Sequence, residues 1–184
     1  MSDQIRLSNT SHVVLGLIDV LGESTPYELK QAMEKSVENF WPVPHTTFYE
    51  EPARLARAGY LTERQEQGGR RRKRYALTGK GRGALQAWVA SPEISPPQLR
   101  DEGVLKIFFG AELEPILRQR RDWHRAKLTE LETYMAAVSK SGGPAGVLAS
   151  LVAGTTYNRV LAEEYEKGLA DLGLGDPPEA RKPD

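Results

Sequence analysis

Several classes of protein are excluded by what this chain of 184 residues lacks. It contains no cysteine, which rules out disulfide frameworks, thiolate nucleophiles and cysteine-ligated metals. Its apolar runs fall short of the roughly 18 residues that a membrane-spanning helix requires. The first residues also lack the basic and then apolar order of a signal peptide. We therefore expect a cytoplasmic protein without a membrane partner.

Catalytic and metal-binding patterns are missing as well. The sequence has no nucleophile elbow, no phosphate-binding loop and no dinucleotide-binding glycine pattern. Nothing in it places a nucleophile, a base and oxyanion donors together. His12, His45 and His124 fall on different expected elements, with no carboxylate at ligand spacing. We predict no enzymatic activity, no metal site and no cofactor.

The formal net charge is zero, but the charge is distributed unevenly. Residues 1–91 carry 13 Lys and Arg against 10 Asp and Glu, whereas residues 92–184 carry 12 against 15. Residues 64–82 alone hold eight basic residues and one acidic residue, and residues 70–74 are all basic. So much like charge on one turn is costly unless an anion lies opposite it, and the phosphate backbone of nucleic acid is the simplest candidate.

The first part of the chain has the pattern of two capped helices. Apolar residues at three-and-four spacing predict a helix over residues 8–21 that ends at Gly22. Thr25, Pro26 and Glu28 then form the capping-box start of a second helix. The residues expected to face the core are Val13, Val14, Leu17, Ile18 and Leu21 in the first helix, and Tyr27, Leu29, Ala32, Met33 and Val37 in the second.

A third helix is predicted to begin near His45 or Thr46 and to end at Gly59. Pro52 lies inside it, so we expect a kink or a tightened first turn. Short polar side chains near the start of an inserted helix reach base edges, and Thr46, Thr47 and Glu50 fit that requirement. The alternative is that Thr46 only caps the helix and that Glu50 is an acid favoured by the helix dipole.

Residues 60–64 and 74–78 alternate as the strands of a hairpin whose tip is basic. If two or three of the tip cations in each protomer reach phosphate, a dimer neutralises about six phosphates and the log–log salt slope of binding is near −5. The alternative is a solvated tip. A fourth helix is predicted over residues 79–90, capped by Thr78, with Leu85, Trp88 and Val89 as its apolar face.

The second half reads as a linker followed by helices. Prolines make residues 91–98 an extended linker, and residues 99–109 form a short apolar helix. Residues 112–140 predict a rod of roughly 40 Å, and residues 147–172 predict a helix that folds back antiparallel. The rod's narrow apolar stripe is typical of a coiled-coil seam. The predicted dimerisation residues are Leu128, Leu131, Met135 and Val138 in the stripe, with Leu161 and Tyr165 in the last helix.

The stretch over residues 45–85, HTTFYEEPARLARAGYLTERQEQGGRRRKRYALTGKGRGAL, resembles the PadR family of bacterial transcriptional regulators. The likeness covers roughly residues 12–90 and is looser beyond them. Pro52 departs from it, because family members more often have leucine there. The matching features are an aromatic Tyr49 opening the third helix, a stop from Leu55 to Gly59, a basic wing, and an exit formed by Tyr75, Leu77, Thr78 and Gly81.

This resemblance implies a homodimeric DNA-binding regulator, usually a repressor, whose helical extension pairs the protomers and can take a small-molecule effector. By the same likeness the start of the third helix lies at the major groove and the basic tip touches backbone or minor groove. The predicted DNA-binding residues are Thr46, Thr47, Tyr49, Arg54, Gly69, Arg70, Arg71, Arg72, Lys73 and Arg74. Trp88, Trp123 and His124 are candidates for an effector pocket, with dimer packing as their alternative.

The predicted fold class is therefore mainly α with a small β-hairpin. A winged helix-turn-helix DNA-binding domain over residues 1–90 is followed by a linker over 91–98. An antiparallel helical, coiled-coil-like dimerisation domain over 99–172 and a disordered tail over 173–184 complete the chain. We predict a repressor that binds a pseudo-palindromic operator. The competing hypothesis is a winged-helix module that binds an acidic protein and does not read DNA.

Overall fold

The computed structural model describes residues 5–66 and 71–175, and the predicted class, mainly α with a small hairpin, is confirmed there. The chain divides into two compact units at Pro96 and Pro97. The elements in chain order are α1 (Asn9–Leu21), α2 (Pro26–Glu34), a 3₁₀ turn (Val37–Asn39), α3 (Thr47–Arg57), β1 (Leu61–Gln65), β2 (Lys73–Leu77), α4 (Gly79–Ala90), α5 (Glu102–Phe108), α6 (Leu113–Lys140) and α7 (Ala145–Asp171).

Local signals set the ends of the first helices as predicted. Thr25 and Glu28 form a reciprocal capping box at the start of α2, with the Glu28 carboxylate accepting from the Thr25 N–H at 2.7 Å. Gly22 and Gly59 end α1 and α3 with φ near +78° and +79°, the left-handed region that glycine reaches without steric cost. These caps fix where α1 ends, where α2 begins and where α3 ends.

The start of α3 is tightened, as Pro52 led us to expect. The N–H groups of Thr47, Phe48 and Tyr49 donate to carbonyls three residues earlier, at 3.0 to 3.3 Å. This is 3₁₀ geometry. Pro52 itself is buried on the inner face of the helix.

Four residues predicted to face the core of the first unit are exposed instead: Leu21, Tyr27, Trp88 and Val89. Leu21 is the last residue of α1 and lies beyond the packed stripe. Tyr27 is 57% exposed, and its hydroxyl accepts a hydrogen bond from Gln31. The core is built from Val14, Leu15, Ile18, Leu29, Met33, Val43, Phe48, Leu55, Tyr60, Leu61, Tyr75 and Leu85.

The second unit contains α5, α6 and α7. The short apolar helix begins later than predicted, at Glu102, because the Asp101 side chain accepts from the Val104 N–H and caps it there. Helices α6 and α7 form the predicted antiparallel pair, since residues near the start of α6 contact the end of α7. The 28 residues of α6 span about 42 Å.

The apolar stripe of α6 packs within one chain. Leu131 is buried and packs against Gly154 of α7. If Gly154 carried a Cβ, that atom would lie 3.3 Å from Leu131 Cδ1. Leu128, Met135 and Val138 are half-buried. The side chain of Leu131 therefore packs between α6 and α7 of its own chain. That the stripe also contacts a second copy of the chain stays a prediction. The predicted tail falls largely on residues 176–184, outside the described residues.

Candidate nucleic-acid interface

The beginning of α3 exposes the side chains that the sequence assigns to base readout. Tyr49 is 56% exposed, Thr46 and Glu50 are exposed, and Thr47 is half-buried. Thr46 holds the N-cap position, but its backbone is helical and its side chain makes no capping hydrogen bond. The capping interpretation of Thr46 therefore lacks its main contact, and the hydroxyl stays available to a ligand.

Arg54, a predicted DNA contact on the same helix, is half-buried and is bonded to side chains of its own chain. Its guanidinium makes two hydrogen bonds to the Glu51 carboxylate, at 2.6 and 2.8 Å, and a third to the buried Ser11 hydroxyl at 3.0 Å. The Glu51 carboxylate raises the pKa of Arg54, because it stabilises the charged form. Arg54 therefore links α3 to α1 through its hydrogen bond to Ser11. That Arg54 contacts DNA stays a prediction.

The hairpin β1–β2 is the predicted wing, with Leu61 opposite Leu77 and Gln65 opposite Lys73. Its basic residues fall into two sets. Lys73 pairs with Glu63 at 2.8 Å, and Arg74 pairs with Glu23 and Glu66, each at 3.3 Å.

Arg71 and Arg72 differ from these two, because both are exposed. Neither forms an ion pair with any residue in the part of the chain that the structure describes. Gly69 and Arg70, also predicted contacts, lie outside the described residues.

Tyr75 anchors the wing in the core. Its backbone exchanges two hydrogen bonds with Ser24, at 2.8 and 2.9 Å, so the turn after α1 extends the hairpin by one bridge. Its ring is buried, and its hydroxyl donates to Glu63 at 2.9 Å. Burial together with this hydrogen bond raises the pKa of Tyr75 to about 12.

A measurable pH dependence follows from Tyr75. The folded state holds the phenolic proton more tightly than the unfolded state, whose pKa is near 10.0. The stabilisation is therefore complete below about pH 10 and is lost as the pH rises towards about 12, by roughly 2 kcal/mol. In urea unfolding, the free-energy difference between wild type and Tyr75→Phe should shrink over that window. A constant difference would contradict the raised pKa.

The exit from the wing is closely packed. The Thr78 hydroxyl accepts from the Gly81 N–H at 3.0 Å and donates to the carbonyls of Gly59 and Tyr60. A Cβ on Gly81 would lie well inside contact distance of the Tyr60 carbonyl oxygen and 2.8 Å from Leu77 Cδ2. Glycine at this position lets α4 begin directly against the end of α3 and the start of β1.

The three residues predicted for an effector pocket fall in different units. Trp88, in the first unit, stacks on His12 with ring centroids 4.7 Å apart. Trp123 and His124 lie on α6 in the second unit. His124 is buried, its Nδ1 lies 2.8 Å from the Asn158 amide oxygen, and its ring stacks on Tyr165 at 5.8 Å. The structure therefore brings His124 and Tyr165 together.

Two acidic residues were missed by the sequence analysis. Glu51 holds Arg54, and Glu23 holds Arg64 and Arg74. The Glu51–Arg54 pair has a local signal, because residues three apart on a helix are neighbours. Glu23 has none, since its partners lie 41 and 51 residues further along the chain. Among the described residues no cluster of His, Asp and Glu could hold a metal ion, and no helix is long and apolar enough to span a membrane.

A helix-turn-helix followed by a basic two-stranded wing defines the winged helix-turn-helix class. The model of the Transcriptional regulator PadR-like family matches residues 14–87, which run from α1 into α4. Over residues 14–87 the chain is therefore similar to this family of transcriptional regulators.

One known protein and two of its crystal structures extend the likeness into the second unit. The negative transcriptional regulator PadR of Bacillus subtilis is 26% identical over 140 residues, which cover 72% of this chain and 76% of the relative. The crystal structure of Bacillus subtilis PadR in complex with operator DNA superposes with a TM-score of 0.76 at 23% identity, covering 91% of this chain and 99% of that one. The same protein in complex with p-coumaric acid gives a TM-score of 0.70 at 21% identity, covering 90% and 99%. These structures share the fold of this chain through its helical extension.

Proposed function

We propose that this protein is a cytoplasmic, homodimeric repressor that binds a pseudo-palindromic operator and is released by a small-molecule effector. One observation carries the proposal: the exposed side chains of Thr46 and Tyr49 at the start of α3 belong to the same compact unit as a wing whose Arg71 and Arg72 are exposed. Short polar side chains on a helix suit base edges, whereas arginines on a turn suit phosphate. Repression is supported by the relative that is a negative regulator.

The exposed apolar residues of the second unit support a second copy of the chain as partner. On α5 and just after it, Phe108 and Phe109 are 81% and 76% exposed, and Leu105 is also exposed. On α7 the side chains of Val152 and Val160 are exposed. Large exposed apolar patches on soluble proteins mark protein–protein contacts. The proposed dimer therefore covers α5 and the outer face of α7 as well as the half-buried residues of the α6 seam.

A planar aromatic compound is the proposed class of effector. The aromatic cluster of Trp123, His124, Tyr157 and Tyr165 offers ring faces and edges, and Trp123 and Tyr157 are exposed. The similar structure with bound p-coumaric acid shows a protein of this fold taking such a ligand. Trp88 belongs to the other unit, and its proposed role is limited to its stack on His12.

Selection from fragmented genomic DNA of the source organism, in excess nonspecific competitor, tests the proposal. We expect one enriched sequence with two-fold symmetry whose half-sites lie about 10 base pairs apart, or a multiple of that distance, centre to centre. Light scattering should give the mass of two chains. Enrichment of no sequence, together with retention of an acidic protein, would instead support the winged-helix module that does not read DNA.

A further inference from the structure

Glu23 sits at the centre of the charges at the base of the wing. Its carboxylate accepts two hydrogen bonds from Arg64, from Nε at 3.0 Å and from Nη2 at 2.7 Å. The same carboxylate lies 3.3 Å from Nε of Arg74, and the Glu23 main-chain carbonyl accepts from Nη2 of Arg74 at 2.9 Å. One residue in the turn after α1 therefore holds one arginine from each strand of the hairpin.

The two arginines that Glu23 holds face each other across the hairpin. Arg64 and Arg74 are register partners in the ladder. Like charges directly opposite one another are destabilising in a sheet. The Glu23 carboxylate lies within contact of both guanidinium groups and offsets that repulsion. This arrangement explains how two cations can occupy one cross-strand pair.

The backbone beside Glu23 is joined to the wing at the same place. Ser24 and Tyr75 exchange hydrogen bonds at 2.8 and 2.9 Å, and Tyr75 follows Arg74 in the strand. Two isolated backbone bonds between a turn and a strand form a weak attachment. The ion pairs made by Glu23 flank this bridge, so side chain and backbone together tie the hairpin to the helix-turn-helix.

The arginines at the base of the wing have carboxylates beside them. Arg74 is 25% exposed and also has Glu66 at 3.3 Å and Glu28 at 3.8 Å. Three carboxylates, those of Glu23, Glu28 and Glu66, thus surround Arg64 and Arg74. Arg71 and Arg72, closer to the tip, are exposed.

We propose that Glu23 is the positioning residue of the wing: it locks Arg64 and Arg74 into the hairpin base and so holds Arg71 and Arg72 in place for phosphate. This inference rests on the proposed DNA-binding function. It divides the predicted basic contacts into two sets, with Arg74 serving the wing's attachment and Arg71 and Arg72 serving the duplex. Glu23 itself touches no DNA.

A positioning role for Glu23 changes the DNA affinity of Glu23→Gln in the opposite direction from simple charge counting. If Glu23 only repelled phosphate or screened the arginines, Glu23→Gln would strengthen DNA binding and steepen its salt dependence. If Glu23 positions the wing, the variant must order the hairpin when it binds. Affinity then falls, but the finished complex releases the same number of ions, so the log–log slope is unchanged.

Two measurements on the full chain test this, with Asp19→Asn as the matched control. Asp19 pairs with Arg82 at 2.6 Å, so the control removes one surface carboxylate from an ion pair away from the hairpin strands. Without DNA, amide exchange followed by NMR should show the Ser24 and Tyr75 amides exchanging about fivefold faster in Glu23→Gln, the scale of a small ion-pair network, and unchanged in Asp19→Asn. With DNA, affinity should fall at every salt concentration with the slope preserved, by up to about fivefold for each protomer, because the loss follows the fraction of wings that are detached in the free protein.

Either of two results would overturn the inference: unchanged exchange of both amides, or tighter binding with a steeper slope. Failure of the wild-type protein to bind duplex DNA would remove the proposed function instead. The exchange measurement needs no DNA, so it would still decide whether Glu23 holds the hairpin.

Discussion

Replacing Arg71 and Arg72 together with glutamine should lower the affinity for duplex DNA on the order of 10³-fold at about 0.15 M salt. Both side chains are exposed and neither forms an ion pair with a described residue. If a dimer loses four phosphate contacts, the log–log salt slope changes by about 4 × 0.9, or roughly 3.6. The slope should therefore fall in magnitude from near 5 to between about 1 and 2, measured by fluorescence anisotropy across a salt series.

A control with the same loss of charge separates phosphate contact from a general electrostatic effect. Arg125 and Arg159 lie on α6 and α7 and pair with Glu166 at 3.3 Å and Glu132 at 2.7 Å. The double variant Arg125→Gln and Arg159→Gln removes two cations from each protomer, and its slope should match that of the wild type. An equal loss in both double variants would show that net charge, and not the wing, sets the affinity.

Gly81→Ala should destabilise the first unit by roughly 3 kcal/mol or more, because the new methyl group meets backbone that has nowhere to move. The Cβ would clash with the Tyr60 carbonyl oxygen and would lie 2.8 Å from Leu77 Cδ2. Relief requires α4 to move away from the end of α3, which breaks the hydrogen bonds of Thr78. Urea or thermal unfolding measures the loss.

Gly83, on the same helix, provides a control in which alanine should raise the stability instead of lowering it. A Cβ there meets nothing within 4 Å, and the residue lies inside α4. Alanine is a better helix former than glycine by about 1 kcal/mol, so Gly83→Ala should stabilise the protein by up to that amount. If Gly81→Ala were as stable as Gly83→Ala, the close contact between α4 and Tyr60 would be wrong.

Features that depend on nearby residues were predictable from the sequence. The capping box of Thr25 and Glu28 needs only spacing and residue type, and it is present. Gly59 ends α3. The two strands of the hairpin begin and end within one residue of the predicted bounds. The capping box and the glycine stop depend on residues a few positions apart. The hairpin depends on two alternating segments joined by a short glycine-containing turn.

Features that depend on tertiary neighbours were not predictable in this way. Tyr27 fits an apolar helix position, yet its place in the first turn of α2 directs it to solvent. Leu131 matches a coiled-coil seam, but α7 of the same chain already buries it. A stripe spaced for helix packing does not state whether the partner helix comes from the same molecule.

The basic wing shows the same limit for charge. Strand alternation predicts that two or three of the consecutive cations reach phosphate, but the sequence alone does not reveal which ones, because it does not show which acids fold beside them. The structure places Glu63 beside Lys73, and Glu23 and Glu66 beside Arg74. Among the described residues of the basic run, Arg71 and Arg72 are therefore the cations left exposed without an ion pair.

We claim that α3 and the wing recognise one DNA sequence, and the ratio of two binding affinities decides whether they do. The site selected from genomic DNA and a scrambled site of equal length should be titrated at about 0.15 M salt by fluorescence anisotropy. We predict that the selected site binds at least about 10³-fold more tightly, the usual lower bound for specific recognition. Equal affinity for the two sites would contradict the claim.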